Sequence, residues 1–187
     1  MFTSTNQLIL HPGNANDSIE HQQLLKFLKH SGYIGETEKN HRFQVGEKFL
    51  SQTCFLGCSP NIELYPQNNN QPYCYIEVPP DSDMPQFVSG LNIKFPRCKH
   101  CKNELNKLPG VLAQNNNMLH SYHCPHCQNK LNPQQLSWRK TACLTRNQII
   151  VNNIYESEAV PEQHFLLALQ QLSGFAWKYC YIRLPKT

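Results

Sequence analysis

Apolar residues recur along this chain in short, separated runs whose period shifts between two and about 3.6, so short strands and helices alternate. Gln7 to His11 reads as a strand, broken by Pro12, Gly13 and Asn14. Asp17 or Ser18 is then placed to cap a helix whose apolar stripe is Ile19, Leu24, Leu25, Phe27 and Leu28, with Gly32 beyond its end. Residues 46–56 predict a second, more buried helix, since Phe49, Leu50, Thr53 and Leu56 have helical spacing. Ile62 to Tyr65 and Tyr73 to Val78 predict strands joined through a polar loop. Residues 79–92, with Pro79, Pro80 and Pro85, read as irregular, and Asn92 to Phe95 as strand-like. Residues 107–118 read as a loop, and Pro133 begins a short turn within Leu131 to Trp138. Asn147 to Tyr155 is rich in β-formers. From Pro161 a helix runs through Leu172, with Phe165, Leu166, Leu169 and Leu172 on its core face and Gly174 ending it; Ala176 to Leu184 is the last strand.

Two strands echo each other: Tyr73-Cys-Tyr-Ile-Glu-Val-Pro79 and Tyr179-Cys-Tyr-Ile-Arg-Leu-Pro185 agree at five of seven positions. Two similar half-domains, each ending in such a strand, would account for this, and so would chance. The expected fold is α+β: a sheet with helices on one face, of ferredoxin-like or related arrangement, from residues 1–93 plus 145–187, with 94–144 inserted. If the two strands lie close in one sheet, Tyr73, Tyr75, Tyr179, Tyr181 and Arg183 form an aromatic platform able to stack bases; a covered face is the alternative.

Composition narrows the class. The chain has 187 residues, 40% hydrophobic, 16% charged, and its polarity comes from 19 Asn and 16 Gln. No run approaches the ~18 apolar residues of a membrane helix, and Met1 to Leu10 lacks the basic start and cleavage site of a signal peptide. A cytoplasmic protein is therefore expected. Nine cysteines without a secretion signal argue against a disulfide framework. Four of them form two Cys-x-x-Cys pairs, Cys98/Cys101 and Cys124/Cys127, separated by 22 residues. Two intervening residues let one tight turn aim both sulfurs at one ion, and two such knuckles complete a tetrahedral zinc shell. Cys98 to Asn106 and Cys124 to Asn132 are identical at six of nine positions. This pattern resembles the zinc-ribbon family over residues 94–140. Ribbons commonly carry Gly directly after the second cysteine of a knuckle, whereas Lys102 and Gln128 stand here, followed by Asn103 and Asn129; a turn shifted by one residue would suit Asn. A closed four-thiolate shell implies one structural Zn²⁺ per chain, supplying folding free energy to a segment with few apolar residues of its own. His100, His120, His123 and His126 are then bystanders.

Charge is unevenly placed. Residues 94–146 carry nine basic side chains and one acid, Glu104, while the rest carries eight basic and twelve acidic. A basic ribbon can neutralise phosphates. Lys99, Lys102, Lys107, Lys130, Arg139 and Lys140 are candidate nucleic-acid contacts, with His100, Tyr122, His126 and Trp138 available for stacking. The leading function is a non-catalytic module that contacts nucleic acid or ribonucleoprotein. The alternative is a protein-interaction adaptor with a purely structural zinc. A third is an enzyme with its site in the α+β domain, around Glu156, Glu158 or Cys58. Cys54 and Cys58 would share a helix face as buried thiols, Cys74 and Cys180 belong to the core, and Cys143 has no visible partner. No phosphate-binding glycine loop is present, so a nucleotide cofactor has no support.

As a whole, the chain resembles a family of uncharacterised proteobacterial proteins through Phe-Leu-Gly-Cys-Ser-Pro (55–60), the four-cysteine segment followed by Trp138-Arg139, and Glu-Ala-Val-Pro (158–161). That resemblance implies an architecture and a bacterial origin, and no mechanism.

Overall fold

The computed structural model describes residues 6–56, 62–65, 72–114, 121–155 and 158–185. In chain order these form β1 (Asn6–Pro12), α1 (His21–His30), β2 (Ile34–Lys39), β3 (Arg42–Val45), α2 (Phe49–Gln52), β4 (Thr53–Phe55), β5 (Tyr75–Glu77), β6 (Gln86–Ser89) and α3 (Leu108–Gln114). They continue with β7 (Tyr122–His123), β8 (Lys130–Leu131), a 3₁₀ turn (Pro133–Gln135), β9 (Ala142–Thr145), β10 (Ile149–Ile154), β11 (Ala159–Pro161), α4 (Gln163–Ser173) and β12 (Trp177–Arg183). Among the described residues, no helix is long and apolar enough to cross a membrane.

The main sheet has six strands in the order β12-β1-β10-β5-β3-β2, and all its pairings are antiparallel. The class is mixed α/β, with a six-stranded antiparallel sheet in place of a named ferredoxin-like order. Side chains alternate across it. Leu8, Leu10, Ile76, Val151 and Tyr181 face a core that also contains Leu24 and Leu28 of α1 and Phe165 and Leu169 of α4. Helices thus cover one face. Tyr33 lies at the centre of that core, stacked on Phe165 at 4.3 Å and tilted against Phe49 at 5.3 Å. On the other face Ile9, Cys180 and Ile182 pack against Cys143 and Val88 of the β6–β9 pair.

Local chemistry accounts for the helix ends. Gly32, at φ 71°, follows α1, and the bonds Gly32 N–H to Lys29 O and Tyr33 N–H to Leu28 O close a Schellman motif. Gly174, at φ 81°, ends α4 where the sequence places its stop. The start of α1 differs from expectation. Glu20 is the cap residue and makes no side-chain cap, so neither Asp17 nor Ser18 serves. The helix expected over 46–56 is a single turn, α2, that runs into β4, leaving Leu50 and Leu56 exposed. Gly46 sits there because a Cβ would collide with the Gly32 carbonyl. Ile62 to Tyr65 and Asn92 to Phe95 are not strands, whereas β6 lies inside the stretch expected to be irregular and α3 inside the expected loop.

The echoing strands are not equivalent. β5 and β12 belong to one sheet but are separated by β1 and β10. Cys74 and Ile76 point into the helix-covered core, while Cys180 and Ile182 point to the opposite face. The five-member aromatic platform therefore does not form. Tyr73 and Tyr75 lie on one side with Arg42, whose guanidinium carbon is 3.5 Å from the Tyr75 ring centre, and Tyr181 is buried on the other, its hydroxyl donating to the Ala159 carbonyl at 2.8 Å.

A second apolar cluster forms around Leu105, Leu108, Leu112, Leu131, Trp138, Ala142 and Leu144, with Ala15 and Phe87 packed in. The cysteine-bearing segment is thus better supplied with apolar residues than its sequence suggests, because α3 contributes Leu108 and Leu112.

Candidate metal centre

Each knuckle is built the same way. The backbones of Arg97 and Glu104 form an isolated antiparallel β-bridge in the first, and β7 pairs with β8 in the second. Cys98 N–H donates to Asn103 O at 2.9 Å and Lys102 N–H to Cys98 O at 2.9 Å. The matching bonds, Cys124 N–H to Asn129 O and Gln128 N–H to Cys124 O, are 3.0 and 2.9 Å. Lys102 and Gln128 have φ of 63° and 57°. The left-handed position therefore falls directly after the second cysteine, and the turn does not shift to Asn103 and Asn129.

These turns bring Cys98, Cys101, Cys124 and Cys127 together, one sulfur from each, all within 4.8 Å. Cys98 Sγ is 3.8 Å from Cys127 Sγ, and Cys101 Sγ is 3.7 Å from Cys124 Sγ. A tetrahedron with zinc–sulfur bonds of about 2.3 Å has edges of about 3.8 Å, so the donor set fits a zinc-sized ion. Cys98 and Cys124 are buried on the Leu105 and Leu131 side, and Cys101 and Cys127 are half-buried.

The surroundings favour thiolate at Cys98 and Cys127. Backbone N–H groups of Cys101 and His100 hold the Cys98 thiol below its usual range. The Asn129 side-chain amide, 3.3 Å from Cys127 Sγ, and the Asn129 backbone N–H lower Cys127 to about 6. The Asn103 N–H pulls Cys101 down too, but burial and the facing sulfurs outweigh it and leave it at about 11. Four sulfurs this close cannot all ionise alone, and a divalent cation removes that conflict.

Of the expected contact residues, Lys99, Lys102, Lys107, Lys130, Arg139 and Lys140 are exposed, as are His100 and His126. Tyr122 is half-buried. Trp138 is not available for stacking: it is 7% exposed and packs on Phe87 at 5.0 Å between ring centres. Lys140 Nζ donates to the Tyr179 hydroxyl at 2.6 Å and lies 4.1 Å from its ring centre. Cys54 is on a strand, β4, and not on a helix; Cys58, His120 and Glu156 lie outside the described residues. Cys74 is a core thiol, pushed up to about 12 by burial.

One grouping was not visible in the sequence. Cys143 lies beside Cys180 and His11, one donor atom from each within 4.8 Å. No spacing motif could have signalled it, since the three residues come from three different strands.

Compared with protein families, with curated proteins and with solved structures, the chain matches none. Neither resemblance drawn from the sequence gains support from that comparison.

Proposed function

We propose that the four cysteines hold one structural zinc ion, that residues 94–144 form an inserted zinc-ribbon unit, and that its basic surface binds nucleic acid. The observation that carries this reading is the exposure of Lys99, Lys102, Lys107, Lys130, Arg139 and Lys140 in a segment, 94–146, with one acidic residue. Bound zinc supplies cross-linking of the two knuckles and partly neutralises their thiolates. The chain's own residues do the rest. Lys99 and Lys102 project from the first turn and Lys130 from β8 of the second knuckle, where they can sit against successive phosphates and release counterions. Exposed His100 and His126 offer flat rings for unpaired bases.

Anisotropy titrations with single- and double-stranded oligonucleotides, across 50 to 200 mM salt, test the reading. Four phosphate contacts give a log–log slope of roughly −3 to −4. Replacing Lys99, Lys102, Lys130 and Arg139 together by Ala should weaken binding at least tenfold while zinc content stays constant. A flat salt response, or unchanged affinity in that variant, refutes the nucleic-acid reading.

A further inference from the structure

We propose that His11, Cys143 and Cys180 form a second metal site: an open zinc site whose fourth position faces the cleft beside it. The inference is independent of nucleic-acid binding.

The sheet assembles the ligands. In the β1–β12 pairing Ile9 lies opposite Cys180 and His11 opposite Lys178, so His11 and Cys180 share the face that β9 covers with Cys143. Their relative exposures are 8%, 2% and 1%. One donor atom from each falls within 4.8 Å of the others. A tetrahedral two-sulfur, one-nitrogen set has edges of about 3.5 to 3.8 Å, so binding needs a contraction of about 1.3 Å at most.

His11 is prepared for this role. Its Nδ1 lies 2.7 Å from the Pro12 carbonyl. A carbonyl only accepts, so Nδ1 carries the proton and the lone pair is left on Nε2. Ligating histidines characteristically donate their second nitrogen in this way. Zn²⁺ entering the site displaces one proton from each thiol, and the resulting Zn(S)₂N unit is neutral. Packing alone explains two buried cysteines. It does not explain why an imidazole is placed beside both, with one donor atom from each of the three within 4.8 Å.

Two cysteines and one histidine leave a fourth coordination position, the arrangement of open zinc sites. His11 and Cys143 line a cleft of about 420 Å³, with Trp138, Arg139, Lys140 and Lys178 also on its wall. Trp138 Nε1–H is buried and has no acceptor among the described residues. Arg139 and Lys140, at φ 51° and 60°, occupy the central positions of a tight turn closed by Thr141 N–H to Trp138 O at 3.0 Å. Positive φ at both positions normally selects Asn or Gly. Here strained backbone holds two cations at the cleft wall. Water or a small anion from the cleft completes the shell.

The test is metal content of the full chain, equilibrated with zinc and desalted. Two zinc ions per chain are expected, falling to one in Cys143→Ala, Cys180→Ala and His11→Gln. With cobalt(II) in place of zinc, a two-thiolate spectrum should add to the four-thiolate one, disappear in those variants, and shift when azide is added. Should a variant fail to fold, the wild-type count and spectrum decide alone. One metal per chain with a purely four-thiolate spectrum overturns the site, as does a Cys143–Cys180 disulfide in protein purified without reductant. A second cobalt that ignores azide overturns the open fourth position.

Discussion

At the residue after each knuckle's second cysteine, the chain adopts a conformation that its side chain resists. Lys102 and Gln128 stand at φ near 60° where an L-residue pays about 1–2 kcal/mol. Glycine removes that clash at a cost of roughly 0.5–1 kcal/mol in unfolded-chain entropy. Gln128→Gly should therefore raise the thermal midpoint of the metal-loaded protein by a few degrees, and Gln128→Val should lower it. Gln128 is the cleaner site, because Lys102 is also a proposed phosphate contact. The knuckle bonds themselves were legible from spacing, since Cys-x-x-Cys fixes both sulfurs within one turn. The position of the strain was not. Asn103 and Asn129 look like the natural left-handed residues, yet their carbonyls are required to accept from Cys98 and Cys124, and Asn129's amide is committed to Cys127 Sγ.

Between elements, one buried side chain replaces a missing strand. Asn147, ahead of β10, accepts from Ile19 N–H at 2.9 Å and donates to Ile19 C=O at 3.0 Å, pinning the approach to α1 against the sheet. Its own carbonyl accepts from Thr145 Oγ1 at 2.7 Å. Asn147→Ala leaves two buried backbone groups unsatisfied, at about 1–3 kcal/mol each. The urea midpoint should fall accordingly, and Asn147→Asp should fall too, since a carboxylate cannot donate to Ile19. Elements with one clear period were legible: β1, α4 and β12 form where the pattern puts them, and α1 does so apart from its start, which leaves Ile19 outside the helix. Phe49, Leu50, Thr53 and Leu56 misled, because helical spacing says nothing about burial, and only Phe49 and Thr53 of the four are buried. The β2–β3 hairpin gave little signal. Gly35 to Thr37 and Lys39 to His41 are half-buried or exposed, so alternation is lost, and its turn uses His41 at φ 61° in place of glycine.

Across the whole molecule, the described residues form three apolar clusters, and the sheet-and-helix core is distinct from the one that includes Cys98 and Cys124. Removing metal should therefore act on one of them. With a strong chelator, hydrogen exchange at Cys98, Lys102, Cys124 and Gln128 should accelerate at least a hundredfold, while Ile76 and Val151, on the helix-covered face of the main sheet, keep their protection. Loss of protection at both would show that the cores are energetically one. The same division explains what the sequence could reveal of function. The four cysteines are close along the chain, so local spacing announces them. His11, Cys143 and Cys180 meet only through the β1–β12 pairing and the β6–β9 pair laid over it, and nothing short of that topology joins them. That topology also sets an order of assembly. β1 is flanked by β10 and β12, made from residues 149–154 and 177–183. At synthesis rates of roughly 5–20 residues per second, β1 waits on the order of ten seconds for its first neighbour. Cys98, Cys101, Cys124 and Cys127 have by then all been made. During that interval Leu8, Ile9 and Leu10, each with 0% exposure in the finished fold, are an uncovered apolar strand with two open edges. A nascent chain of this protein thus passes through an aggregation-prone interval, which ends when the sheet closes around β1.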